Sequence, residues 1–303
     1  MKSKHLPFLL FLVVFPLFLL GLGLYCCSYQ RGFNLEKISS KLIYNETWET
    51  KTLLCNEKDY LVNVLLNQPF YQCGSGNQCY AFVSEDGKYV IKFFKMHKIL
   101  PKHWLRIFPF SLFEKYAWDN VEKKQNLLEN IFRSLKTAYE KFFEESGLVY
   151  MHLNKTRDLK TKVTVYGYDA KKYVIDLDSK EFIVQLKAQK ICDAFLAFKE
   201  SKDEEGLHRA VRSFFELIAA RCQRGYGDAD SNIRNNFGFV GQRAIFIDCG
   251  HLYADDSLKY PHSFEAEILN ATEKLSQWAE QYYPDLANVL QEEAYSVIDQ
   301  HLK

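Results

Sequence analysis

The chain has little that would mark a fibrous, disordered or zinc-cluster protein. Glycine and proline number only 14 and 7 in 303 residues, too few for a collagen-like or low-complexity chain. Charged residues make up 25% and apolar ones 48%, which excludes a disordered chain and one wholly embedded in a membrane. There is no internal repeat. The eight cysteines include no C-x-x-C pair and lie near no paired histidine, so they form no metal pattern. They read as small buried hydrophobes or free thiols, although Cys55, Cys73 and Cys79 would be free to pair in an oxidising compartment. Net charge is only +1. Lys2, Lys4 and Arg31 supply an excess of positive charge at the start, which leaves the remainder slightly acidic. Such a body lacks the clustered cations that nucleic acid requires.

Charge is also missing from residues 6–27, a run of 22 positions rich in Phe, Leu and Val. At about 1.5 Å per residue this run is long enough for a bilayer core of roughly 30 Å. A membrane anchor fits it best. A cleaved signal, with Gly21, Gly23, Cys26 and Cys27 after the densest apolar stretch, and a lipidated Cys26 are the alternatives. Cations flank the run on both sides, so the positive-inside rule leaves its orientation open.

After this segment (residues 1–30), residues 31–59 are polar and read as a tether, and 60–303 as the folded body. Strands 80–83 and 88–94 flank Ser84-Glu85-Asp86-Gly87, a hairpin turn in which glycine supplies the positive φ. The basic, aromatic stretch 95–115 is an irregular insertion or a membrane-surface segment. A long helix over about 119–145 buries Leu128, Ile131, Leu135, Ala138, Tyr139 and Phe142. Strands follow at 148–153, 162–168, 172–177 and 182–186. Ser201-x-x-Glu204 forms a capping box for a second helix. A hairpin at 237–240 and 244–247 and helices at 263–280 and 284–302 complete the chain. Early strands and late helices predict an α+β body in two lobes, about 60–186 and 187–303.

Three features carry chemistry. In Gly74-Ser75-Gly76-Asn77-Gln78-Cys79 two glycines let backbone approach a phosphate, although a plain turn has the same composition. Its position between strands excludes a dinucleotide fingerprint, which runs from strand into helix. Lys92, on an otherwise apolar strand, either sits at an edge or reaches an anion. The third feature is Asp228-Ala229-Asp230-Ser231-Asn232-Ile233-Arg234-Asn235, followed after a hairpin by Ile247-Asp248-Cys249-Gly250. Asp230 and Asn235 are spaced D-x-x-x-x-N, and Asp and Asn supply the hard oxygens that suit Mg²⁺. Taken singly, this is also the composition of an Asx-rich loop.

The order of the three features resembles the protein-kinase-like superfamily over about residues 70–250, whose signature is a Gly-rich loop, a strand Lys, H-R-D-x-x-x-x-N and D-F-G. The resemblance implies a two-lobed α+β kinase-like fold with a reduced C-terminal lobe behind an N-terminal transmembrane helix. It implies that Gly74 and Gly76 cover nucleotide phosphates and that Lys92 contacts them. Asp230 would be the base for an acceptor hydroxyl, and Asn235 and Asp248 would hold Mg²⁺. Gln185-Leu186-Lys187 would be the hinge that meets adenine, and Glu129, Glu140 or Glu145 the partner of Lys92. The departures are Cys79 for the third loop glycine, Asp228-Ala229 for His-Arg and Cys249 for Phe. Only 53 residues follow Gly250, without an A-P-E sequence. The expected function is a membrane-anchored phosphotransferase that uses Mg-ATP on a small molecule, glycolipid or protein. The alternative is an inactive pseudokinase that serves as a tethered binding module.

Overall fold

The computed structural model describes residues 14–16, 32–50, 61, 65–101, 111–230 and 232–301. The uncharged run 6–27 lies outside the described residues except for Val14, Phe15 and Pro16. No helix among the described residues is long and apolar enough to cross a membrane.

The body is mixed α+β, as expected. Its seven-stranded sheet contains β1 (Phe70–Ser75), β2 (Cys79–Ser84), β3 (Tyr89–Phe94), β4 (Leu148–His152), β5 (Lys162–Tyr166), β6 (Lys172–Asp176) and β7 (Phe182–Leu186), in the order β4-β7-β3-β2-β1-β5-β6. Every pairing is antiparallel except β1 with β5. The β2–β3 turn follows from its sequence. Gly87 has φ +70°, and Asp86 accepts hydrogen bonds from the Ser84 hydroxyl and the Lys88 amide.

Strand alternation divides the core in two. Tyr80, Phe82, Ile91 and Phe93 face a core closed by Phe33, Ile38, Leu65 and Val163. Phe94, Met151 and Ile183 face the opposite side and meet the helices. The first of these, α1 (Ser111–Lys141), buries Leu128, Ile131, Leu135, Ala138 and Tyr139, and Phe142 is buried just beyond its end. Each such large side chain contributes about 1.5–3 kcal/mol of hydrophobic stabilisation. Lys92 shares its face of β3 with Phe94 and is thereby turned toward the helical side.

Two helices follow β7, namely α2 (Ile191–Ser201) and α3 (Glu204–Gln223). The expected capping box does not form. Asp203 caps α3 by accepting from the Gly206 amide, while Ser201 ends α2 with its hydroxyl bonded to Phe198 O. The three-stranded sheet joins β8 (Gln189–Lys190), β10 (Phe237–Val240) and β11 (Arg243–Phe246). A short ribbon pairs β9 (Tyr226–Asp228) with β12 (Leu252–Ala254). Helices α4 (Pro261–Tyr282) and α5 (Leu286–His301) close the chain.

The stretch read as a tether packs onto the body in its described part, 32–50. Phe33 meets Tyr80, Phe82 and Tyr173 edge-on at ring separations of 5.2, 4.9 and 4.9 Å, and Trp48 meets Phe132 at 5.0 Å. Aromatic burial of this kind outweighs the polar composition that suggested a linker.

Candidate active site

Lys92 is half-buried, and its Nζ donates to Gln185 Oε1 and to the backbone oxygen of Ile247, each at 2.6 Å. The second bond joins positions 155 residues apart and places the ammonium beside Asp248. Gln185 lies diagonally across from Lys92, because Val90 pairs with Gln185 in the β3–β7 ladder. Its Nε2 donates to Ser146 O at 2.6 Å and Phe246 O at 2.7 Å. One buried carboxamide therefore ties β7, Lys92, the turn after α1 and β11 together. Glu129 accepts from Trp48, Glu140 pairs with Lys136 and Glu145 pairs with Arg224. None of the three glutamates is the partner of Lys92. The Leu186 and Lys187 amides bond Gly147 O and Lys88 O, so neither hinge amide is free for a base.

The Gly-rich loop leans over the segment that begins at Asp248. Gln78 Nε2 donates to His251 Nε2 at 2.9 Å, and a Cβ on Gly250 would lie 2.7 Å from Gln78 Oε1. A side chain at 250 would therefore push the end of Gln78 aside, at the cost of its contact with His251. Gly76 faces open space, and a Cβ on Gly74 would make only an ordinary 3.5 Å contact with Ala81. From below, the Ser134 hydroxyl of α1 donates to Cys249 O and accepts from the Leu252 amide.

Asp248 is exposed, and its Oδ1 accepts from the Gly250 amide at 3.0 Å. The amides of Ile247 and Asp248 both donate to Asn236 O, at 2.6 and 3.4 Å. Asn236 is 3% exposed, and its Nδ2 donates to Asp230 O. The neighbouring Asn235 is exposed, with Oδ1 accepting from Lys190 at 2.9 Å, so a cation there would compete with an ammonium. Asn236 thus meets Asp248 through its backbone oxygen, while its side-chain amide turns to Asp230.

Asp230 sits in a loop, where its Oδ1 accepts from the Asn232 amide and its own amide donates to Asp228 Oδ1. Asp228, by contrast, is fixed in β9 opposite Leu252. Burial pushes its carboxyl above the usual carboxylate range, with Asp230 adding to the rise. The hydrogen bond from the Asp230 amide and the Arg221 and His251 charges act against it. Lys92, Asp248 and Asp228 all act electrostatically on the buried Cys249 thiol, which burial pushes far up. Cys79 is pushed up to about 12, mainly by burial. Neither thiol is a nucleophile in this setting. No group of three or more His, Cys, Asp or Glu among the described residues is arranged to hold a metal ion. The exposed Asp248 carboxylate does suit Mg²⁺, which needs only one or two protein ligands when phosphates supply the rest.

Sequence reasoning missed Gln78, Gln185, Asp228, Asn236 and His251 in these roles. Only Asp228 had a local signal, since Tyr226-Gly227-Asp228 is short, apolar-led and ends on an acid before the loop.

No protein-family model matches the chain, and no curated protein matches it. Two solved structures of WbdD, a bifunctional kinase-methyltransferase, are similar to it at 14% identity and a TM-score of 0.32. The match covers 72% and 73% of this chain and 43% and 45% of theirs, so the chain spans less than half the length of those structures. An overlap at that level carries no argument, and the functional reading rests on the chain's own residues.

Proposed function

We propose that the chain is a kinase-like phosphotransferase that transfers the γ-phosphoryl group of ATP to an acceptor hydroxyl. The observation that carries this reading is the bond from Lys92 to Ile247 O, which sets a strand cation beside an exposed carboxylate under a Gly-rich loop. Phosphoryl transfer depends on positioning and charge stabilisation, and a strand lysine, a flexible-backbone loop and a metal-binding acid supply both. Lys92 and the loop at Gly74 and Gly76 bind and orient the phosphate chain. Asp248 would hold Mg²⁺, with Asn235 joining once it releases Lys190, and the ion would neutralise phosphate charge. The acceptor oxygen bonds to the γ-phosphorus as the bond to the β–γ bridging oxygen breaks, and the hydroxyl proton passes to a carboxylate. Of the two acids near the cleft, Asp228 has the better support as base, because it is desolvated and strand-held while Asp230 caps its own loop. The run 6–27 would tether this activity to a membrane.

A pseudokinase is the second reading, favoured by the neutral partner of Lys92 and by Lys190 on Asn235. Calorimetry with ATP, with and without Mg²⁺, followed by a turnover assay, separates the two. Magnesium-dependent ATP binding with turnover supports the enzyme, and binding without turnover supports the pseudokinase. No ATP binding sinks the enzyme and leaves the tethered binding module.

A further inference from the structure

Lys95 lies one residue beyond β3 and is 3% exposed. Its contacts converge on the tip of the Gly-rich loop. The backbone amide donates to Gln78 O at 2.7 Å. The ammonium donates to Ser75 Oγ at 2.8 Å and to Gly76 O, and it stands 4.4 Å from the centre of the Tyr80 ring. One side chain therefore holds loop residues 75 and 76 while its own backbone holds 78. Every acceptor is neutral, so a full positive charge is buried behind the loop without a carboxylate bonded to it. The Gly76–Asn77 peptide is trans, since the described residues contain no cis bond. With the Gly76 carbonyl aimed at Lys95, planarity aims the Asn77 N–H the opposite way, out of the clamp.

We propose that Lys95 is a positioning residue that latches the Gly-rich loop and presents the Asn77 amide to a phosphate group with positive charge behind it. The inference rests on the phosphotransfer reading above and adds what holds its loop in place.

A cation held this way makes the latch sensitive to pH. Burial and then the Lys98 charge lower the Lys95 ammonium to about 8, with Cys79 opposing and Lys37 adding a lesser push downward. His97, on the same turn, feels the Lys95 charge in return. Above that value Lys95 becomes neutral, can no longer donate fully to both acceptors and loses its field. The unfolded chain keeps this proton until about pH 10.4, so folding stability should rise over the window in which phosphate binding falls. Lys37, also lowered by burial, adds to the stability slope, and its ammonium donates to Gly32 O.

The test is calorimetric binding of ATP and of adenosine to the full chain and to Lys95→Met, between about pH 7.5 and about pH 9.5. The wild type should lose ATP affinity across the range while adenosine affinity stays level. Lys95→Met should bind ATP about tenfold more weakly at the lower pH, bind adenosine within about twofold of wild type, and show no pH dependence. Equal ATP affinity in the variant, or equal losses for ATP and adenosine, would overturn the latch and leave the phosphotransfer reading intact. If Lys95→Met does not fold, the wild-type series decides, and a level ATP affinity overturns the proposal. If the wild type binds no ATP, the phosphotransfer reading fails. Hydrogen exchange then decides the latch, which survives only if the Lys95 amide, bonded to Gln78 O, loses protection as pH rises while the sheet does not.

Discussion

Replacing Gln185 with Leu tests the joint on which the site depends. The side chain is 2% exposed and makes three hydrogen bonds, one from the Lys92 ammonium and two to the carbonyls of Ser146 and Phe246. A bond to a charged group is worth about 1.5–3 kcal/mol and a neutral one about 1 kcal/mol. Leucine fills nearly the same space, so it opens little cavity, but it leaves both carbonyls and one ammonium proton without their partner. The expected loss is about 3–5 kcal/mol of folding stability. Urea titration of the full chain measures it. Because Lys92 also loses half of its orientation, ATP affinity should fall along with stability.

Gln185→Glu makes the argument sharper. It gives Lys92 a carboxylate, but it replaces the Nε2 donor by an acceptor facing two carbonyl oxygens. If the two neutral bonds matter as their distances suggest, this variant is also destabilised, by about 2–3 kcal/mol, despite the new ion pair. A Gln185→Leu protein within about 0.5 kcal/mol of wild type would refute the joint. A Gln185→Glu protein more stable than wild type would show that the ion pair outweighs both carbonyl bonds.

Four further outcomes are expected. Asp228→Asn should lower turnover by about a hundredfold or more with ATP affinity nearly unchanged, whereas Asp230→Asn should lower it much less; the reverse ranking in a turnover assay returns the base to Asp230. Asp248→Asn should weaken ATP binding in Mg²⁺ far more than in EDTA, and equal losses by calorimetry would remove Asp248 as a metal ligand. Gly147→Ala should cost about 2 kcal/mol in a urea titration, because Gly147 has φ +59° and the new Cβ would lie 2.8 Å from Ile245 Cδ1; an unchanged midpoint would refute the strain. Glu181 is buried with Oε2 unpartnered, and burial holds its carboxyl above the usual range. The folded state therefore binds more protons than the unfolded one just above the ordinary value, and stability falls as pH rises through the folded value. Glu181→Gln should gain on wild type from acid toward neutral pH in thermal melts, and a constant difference would refute this.

The sequence made the local periodicities legible and left the joints obscure. Phe182–Leu186 forms the expected strand, because five residues with two-sided burial admit little else, and α4 and α5 follow their apolar stripes. The helix Ile191–Ser201 was missed because the nearby Ser201-x-x-Glu204 pattern looked like a start, whereas Ser201 is a stop. The pairing of β9 with β12 joins three-residue strands across a hairpin and leaves no trace in periodicity. Nothing local distinguishes Asn235 from Asn236 either. The first lies on the exposed side of one helical turn and the second on the buried side, a distinction made only by the way the following hairpin folds back.

The neutral partners of the two lysines have a common consequence for charge. A carboxylate bonded to Lys92 would hold it firmly but would offset its charge before any ligand arrived. Gln185 and the Ile247 carbonyl hold the same ammonium and leave the charge in place, and Ser75 and Gly76 do so for Lys95. A unit charge about 4 Å from an opposite one near a protein surface interacts by about 4 kcal/mol, so two ammonium groups without a bonded acid form a strong attractor for a polyanion. The neighbouring acid, Asp248, is exposed and opposes that attraction unless a cation covers it. The arrangement therefore favours a phosphate chain that arrives with its metal ion over a bare phosphate or a monoanion of similar size. Inorganic phosphate should accordingly compete poorly with Mg-ATP in the same calorimetric assay, and equal competition would show that the lysines do not act on a single chain of phosphates.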